Sequence, residues 1–119
     1  MSGEKMETKS GEDIDLNTQF EAGPGEEVEI SYSVQIPTKI TRILVNSECS
    51  RYFVFTGIRC GVNSQMEGPD PVPAFVLSHQ RINFEALSPG QIFAVRVKNV
   101  SGSPRKFLGK AETLIPKGW

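Results

Sequence analysis

A chain of 119 residues fits one domain, and a domain of that size buries roughly two-thirds of the surface its unfolded chain exposes, so neither a metal nor a disulfide is required for a core. Seven Phe supply most of the large core volume, while eleven Gly and eight Pro exclude long helices and suit short strands with frequent turns. The net charge of −1 hides an asymmetry: residues 1–30 carry nine acidic side chains against Lys5 and Lys9, a net of −7, and the other 89 residues carry five acidic against eleven basic, a net of +6.

Residues 1–13 combine Ser, Gly, Lys and Glu without an apolar period, which predicts a flexible acidic arm ahead of a domain spanning 14–119. Ile14, Leu16, Thr18 and Phe20 alternate as one face of a first strand, broken by Ala22-Gly23-Pro24-Gly25. The cleanest alternation follows: Val28, Ile30, Tyr32, Val34 and Ile36 point one way and Glu27, Glu29, Ser31, Ser33 and Gln35 the other, a strand with one dry and one wet face. Ile40–Asn46 predicts a third strand and Tyr52–Cys60 a fourth, with Phe53 and Phe55 facing inward and Gly61 kinking its end.

From Met66 to His79 the period fails, and Gly68, Pro69, Pro71 and Pro73 exclude a central strand. This is a long connection pinned by Phe75 and by Val76 or Leu77, either a plain sheet-to-sheet crossover or a loop of the kind that carries binding function or a subunit contact. Arg81–Glu85 predicts a short strand with Ile82 and Phe84 inward, and Leu87-Ser88-Pro89-Gly90 a turn. Gln91–Asn99 and Lys106–Ile115 then read as a terminal hairpin closed by a Ser-Gly-Ser-Pro loop. Seven to eight strands without a convincing helix predict an all-β fold, a single two-sheet antiparallel sandwich of the jelly-roll or immunoglobulin type.

No constellation in this chain carries chemistry. His79 is the sole imidazole and follows Ser78, but neighbours in an extended chain point to opposite sides and cannot form a nucleophile–base pair. Glu27 and Glu29 share a solvated face and lack the enclosure that tunes a carboxylate for acid–base work. One His and two Cys cannot supply a four-ligand zinc site, and Glu12, Asp13 and Asp15 lack the glycine-shaped loop of a calcium site. The reading is therefore of a protein that is not an enzyme, with no cofactor and no metal.

Cys49 and Cys60 read as free thiols, because a hairpin between Ile40–Glu48 and Tyr52–Cys60 would hold them too far apart to bridge. Asn99-Val100-Ser101 matches the N-glycosylation sequon on a predicted loop, a chance match in a chain whose polar start lacks an export signal. The bases stand singly apart from Arg105-Lys106, which disfavours nucleic acid. Apolar runs such as Ile43-Leu44-Val45 fall far short of the about 20 residues a membrane span needs.

Two stretches, Thr56-Gly57-Ile58-Arg59-Cys60-Gly61-Val62-Asn63-Ser64-Gln65 and Val97-Lys98-Asn99-Val100-Ser101-Gly102-Ser103-Pro104-Arg105-Lys106-Phe107, together with Ile36-Pro37 leading into Ile40-Thr41-Arg42-Ile43, resemble small β-sandwich virion proteins of bacterial viruses. The resemblance covers roughly residues 27–115. It implies a non-enzymatic capsid, decoration or vertex subunit located in the virion, which associates with itself or with other shell proteins as a homo-oligomer. The charge asymmetry fits such contacts, with an acidic arm on one subunit meeting a basic body on the next. Candidate partner-binding residues are Glu12, Asp13 and Asp15 of the arm, Phe75 of the long connection, Arg105 and Lys106 of the basic body, and Trp119. The alternative is a monomeric ligand- or carbohydrate-binding sandwich whose site lies on the Met66–His79 connection and an adjacent wet sheet face.

Overall fold

The computed structural model describes residues 9–66 and 68–116, which form two antiparallel sheets packed face to face. Nine strands follow in chain order among these residues: β1 (Lys9–Ser10), β2 (Ile14–Asp15), β3 (Glu27–Ser33), β4 (Lys39–Val45), β5 (Phe53–Cys60), β6 (Asn63–Ser64), β7 (Val72–Pro73), β8 (Ile92–Asn99) and β9 (Gly109–Ile115). The smaller sheet sets β9 between β4 on one side and β1 and β2 on the other. The larger sheet has the order β3-β8-β5-β6, with β7 also on β5. Because β1 and β2 lie end to end along β9, the smaller sheet is three strands deep and the sandwich has eight in all, as its alternations predict.

The amino-terminal segment is one interrupted edge. Between and beyond its two short strands, the amides of Gly11, Leu16, Thr18 and Ala22 donate to the carbonyls of Thr113, Gly109, Phe107 and Arg105. Pairing begins at Lys9, ahead of the domain boundary at residue 14 read from composition; residues 1–8 lie outside the described residues. Ile14, Leu16 and Thr18 are buried as their alternation predicts, but Phe20 is 80% exposed, because the chain turns away from β9 before it.

The expected terminal hairpin does not exist. Its two strands form, but β8 lies between β3 and β5 in the larger sheet while β9 is the centre of the smaller one. The connecting segment crosses from sheet to sheet instead of reversing the chain, and the two dry faces meet across the core. Phe107, fully buried, sets its ring edge-on to Phe53 at 5.3 Å and to Phe55 at 5.7 Å between centroids, the T-shaped geometry that the aromatic quadrupole favours.

Asn99 organises this crossover. Its buried Nδ2 donates to the carbonyls of Ala22 and Ser103, both at 2.8 Å, and its Oδ1 accepts from the amide and hydroxyl of Ser101, also at 2.8 Å. All the donors and acceptors of the amide are thereby used. The sequon asparagine is a buried tie between chain segments, not a surface loop residue.

A bulge between Phe55 and Gly57 corrects the reading of β5. One extra residue reverses the parity of the strand, so Phe53 and Phe55 face inward as expected and Ile58 and Cys60, which strict alternation puts on the opposite face, are buried as well. The chain then reverses through Gly61-Val62, with Gly61 at φ +64°, a backbone region glycine enters without steric cost. β4 and β5 belong to different sheets, so the hairpin invoked for the cysteines does not form; Cys49 and Cys60 are nonetheless free and buried.

The proline-rich connection is more structured than its composition suggests. Val72–Pro73 pairs with Val54 and Phe55 of β5, and Ala74–Leu77 forms one short helical turn, α1. Pro suits the entry to a helix because the amide it lacks has no partner there. The spacing of three that results buries Ala74 and Leu77 and leaves Phe75 49% exposed, so Leu77 pins the connection and Phe75 does not. Arg81–Glu85 makes no strand, although Phe84 is buried as expected.

Candidate functional site: the open side of the sandwich

The two lateral sides of the sandwich are finished differently. On the β4–β5 side, the connection 68–87 closes the gap between sheets: Ala74, Leu77, Phe84 and Leu87 enter the core, the Ser78 hydroxyl accepts from the Val45 amide at 3.1 Å, and Thr38 and Leu87 exchange backbone bonds at 3.0 and 2.7 Å. On the opposite side, β3 of the larger sheet lies beside β1 and β2 of the smaller one. Among the described residues no strand covers the outer edge of β3.

The edge of β3 is long and regular. Its seven residues pair with β8 without a register shift, from Glu27 opposite Lys98 to Ser33 opposite Ile92. Its dry face is only half covered: Val28 and Ile30 are half-buried and Tyr32 is 44% exposed. Beyond it Val34 returns to the core and Ile36 is 40% exposed. Tyr32, Val34 and Ile36 form one wall of a groove of about 510 Å³ whose other wall is Ile14, Thr113 and Ile115.

Natural sheets protect their edges with proline, charged side chains, bulges, inward charges or very short strands, because unpaired amides and carbonyls template further pairing. Other boundaries here have such devices. β6 and β7 are two residues long, and β7 contains Pro73; β4 has a bulge between Ile40 and Arg42; the β1–β2 edge is interrupted at residues 11–13. β3 has no proline, bulge or shortness, with Pro24 and Pro37 only outside its ends, and its one such device is the charge of Glu27 and Glu29.

The acidic first quarter of the chain meets the basic remainder within one molecule. Glu27 stands opposite Lys98 and Glu29 opposite Arg96 on the outer face of the larger sheet, and Arg59 Nη2 lies 2.9 Å from Glu29 Oε2. Asp15 stands opposite Lys110, whose Nζ is 3.1 Å from Asp13 Oδ2. Opposed cross-strand charges of this kind each contribute about 0.2–1 kcal/mol. The asymmetry along the sequence thus reflects topology: β2 and β3 pair with β9 and β8 from the far end of the chain.

The candidate residues fall in three separate places. Glu12, Asp13 and Asp15 lie on the smaller-sheet edge, where the Glu12 carbonyl accepts from the Thr113 hydroxyl and Asp15 Oδ1 from the Asn17 amide. Phe75 projects from α1 on the closed side. Arg105 sits in the crossover, its guanidinium 3.5 Å from the centroid of Tyr52 and its Nε donating to the Ser101 hydroxyl, while the adjacent Lys106 is exposed. Trp119 lies outside the described residues. The outer edge of β3 is absent from that set; half-exposure of a dry face was its signal, and alternation does not reveal half-exposure.

Groups with chemical reach are occupied structurally. His79 Nδ1 lies 2.7 Å from the Phe75 carbonyl, which only accepts, so that nitrogen carries the proton. The Cys49 sulfur contacts the amide and carbonyl of Leu108, and burial raises its pKa. Burial also pushes the Cys60 thiol up to about 11, disfavouring the thiolate that would react. Among the described residues no group of three or more His, Cys, Asp or Glu is placed to hold a metal ion, and no helix is long and apolar enough to cross a membrane.

Comparisons with protein-family models, curated proteins and solved structures find no match to this chain.

Proposed function

We propose that the protein is a non-enzymatic assembly subunit that works by protein–protein contact through the open side of its sandwich. The observation that carries this reading is the seven-residue edge of β3, regular, half-apolar and uncovered among the described residues. An edge of this kind binds another strand through main-chain hydrogen bonds, while alternate side chains set specificity. The resemblance to small virion sandwiches of bacterial viruses supplies the setting: a capsid, decoration or vertex subunit, associated with itself or with other shell proteins. Sedimentation equilibrium of the purified chain from low to high micromolar concentration tests association. The reading expects mass above the monomer that rises with concentration and falls to the monomer in a Ser31→Pro variant. A monomer at every concentration that also captures no shell protein would refute it.

A further inference from the structure

We infer that the partner of β3 is β3 of a second copy, paired antiparallel about a two-fold axis that passes between the two Ile30 residues. This rests on the association proposed above and specifies its partner and register. The phase of the free edge follows from the ends of the β3–β8 ladder. Asn99 donates to the Glu26 carbonyl and Val34 to the Gln91 carbonyl, and the intervening pairs run without a shift. Antiparallel pairs alternate between hydrogen-bonded and non-bonded, so Val28, Ile30 and Tyr32 exchange bonds with β8. Glu27, Glu29, Ser31 and Ser33 direct their amides and carbonyls outward, where the Ser33 carbonyl accepts from the side-chain amide of Gln35 at 3.2 Å, a bond the pairing replaces.

Only residues of that outward set can bond across a new interface. With Ile30 opposite Ile30 of the second copy, Glu27 faces Ser33 and Glu29 faces Ser31, all four from the outward set, and the whole of β3 is used. Shifting toward the amino terminus to the next permitted register sets Glu29 against Glu29. The next register in the other direction leaves Glu27 and Val28 beyond the partner's β3. The sequence Glu-Val-Glu-Ile-Ser-Tyr-Ser is self-complementary in this one alignment: acids meet hydroxyls, Val28 meets Tyr32, and Ile30 meets itself. The half-exposed dry face of each copy then continues the other, and the larger sheets join into one.

Such a two-fold contact is isologous and closes on itself, so the product is a dimer and not a filament. The pairing also sets a charge rule. Ser31 opposes Glu29 of the second copy twice in each dimer, so Ser31→Lys should tighten dimerisation and Ser31→Glu should weaken it, each by about 2- to 30-fold in dissociation constant for two cross-strand pairs.

Cysteine cross-linking of the full-length chain tests the register. In an Ile30→Cys variant the new thiols occupy a non-hydrogen-bonded pair with Cβ atoms roughly 4.5–5.5 Å apart, and mild oxidation should give a covalent dimer on a non-reducing gel. Val28→Cys alone should not cross-link, because its two copies lie roughly 13 Å apart along the strands, whereas a mixture of Val28→Cys and Tyr32→Cys chains should. The unmodified chain, with Cys49 and Cys60 buried, is the control. An assembled protein whose Ile30→Cys variant fails to cross-link, and whose dissociation constant ignores the Ser31 charge, overturns this pairing and leaves association through another surface. A monomeric protein overturns both readings.

Discussion

The closed and open sides of this sandwich solve one problem in opposite ways. Where β4 meets β5, the twenty residues 68–87, with β7 and α1 among them, fold back and insert Ala74, Leu77, Phe84 and Leu87 between the sheets. Where β3 meets β1 and β2, the chain supplies no such cover among the described residues, and Tyr32 and Ile36 remain substantially exposed beside a groove. The difference shows that the chain closes one side of its sandwich with its own residues and, among the described ones, leaves the other side open. An edge left regular and half-apolar is available for a partner.

Substitutions on the two sides should therefore separate stability from association. The largest effect is expected on the closed side: Phe84→Ala should cost about 3–5 kcal/mol in urea denaturation, since its ring fills the space between sheets and no partner compensates. Asn99→Ala should follow at about 1–3 kcal/mol, because it takes the Asn99 partner from the Ser101 amide and leaves the carbonyls of Ala22 and Ser103 with only the Arg105 amide and the Ser101 hydroxyl. On the open side Ser31→Pro removes an amide that faces away from β8, a position proline tolerates on an edge strand. Its unfolding free energy, measured under dilute conditions, should change by less than about 1 kcal/mol while the oligomer mass collapses. Equal loss of stability from Ser31→Pro and Phe84→Ala would erase the distinction between the sides.

A smaller effect concerns pH. Burial penalises only the thiolate of Cys60, so its folded pKa of about 11 lies above the ordinary value of 9.0. Below pH 9 the thiol is neutral in both states and folding stability is unaffected by its titration. As pH rises from 9 toward 11 the unfolded chain loses this proton first, and stability falls. Cys60→Ala should remove that part of the alkaline decline in a series of urea melts. Glu29→Gln should have the least effect, at most about 1 kcal/mol, because its pair with Arg59 is solvent-exposed.

The alternation of apolar residues revealed the strands and the two-sheet class, because a period of two follows directly from the pleat. It was silent about partners. Gln91–Asn99 and Lys106–Ile115 have the pattern of a hairpin, yet the decision between reversal and crossover lies in Asn99, whose amide binds Ala22 from a segment 77 residues away. The bulge at Phe55/Gly57 was equally hidden: a single extra residue changes which half of β5 faces inward, and only Gly57 hinted at it. Among the site residues, Asp13 and Asp15 stand out in the sequence by their charge, and that charge faces Lys110 of the same chain. The edge of β3 is not legible in the sequence, because its alternation is that of any good strand. What makes it a candidate site is that no strand among the described residues covers it, a property of the topology and not of the segment.

Amide hydrogen exchange in β3, followed residue by residue as protein concentration is raised, tests the central claim most directly. The amides of Val28, Ile30 and Tyr32 should be protected at every concentration by β8, while those of Glu27, Glu29, Ser31 and Ser33 should exchange freely in dilute protein and become protected as the dimer forms. Outward amides whose exchange stays fast and independent of concentration, in a protein whose mass shows it to be associated, would contradict the claim that β3 is where this chain meets its partner.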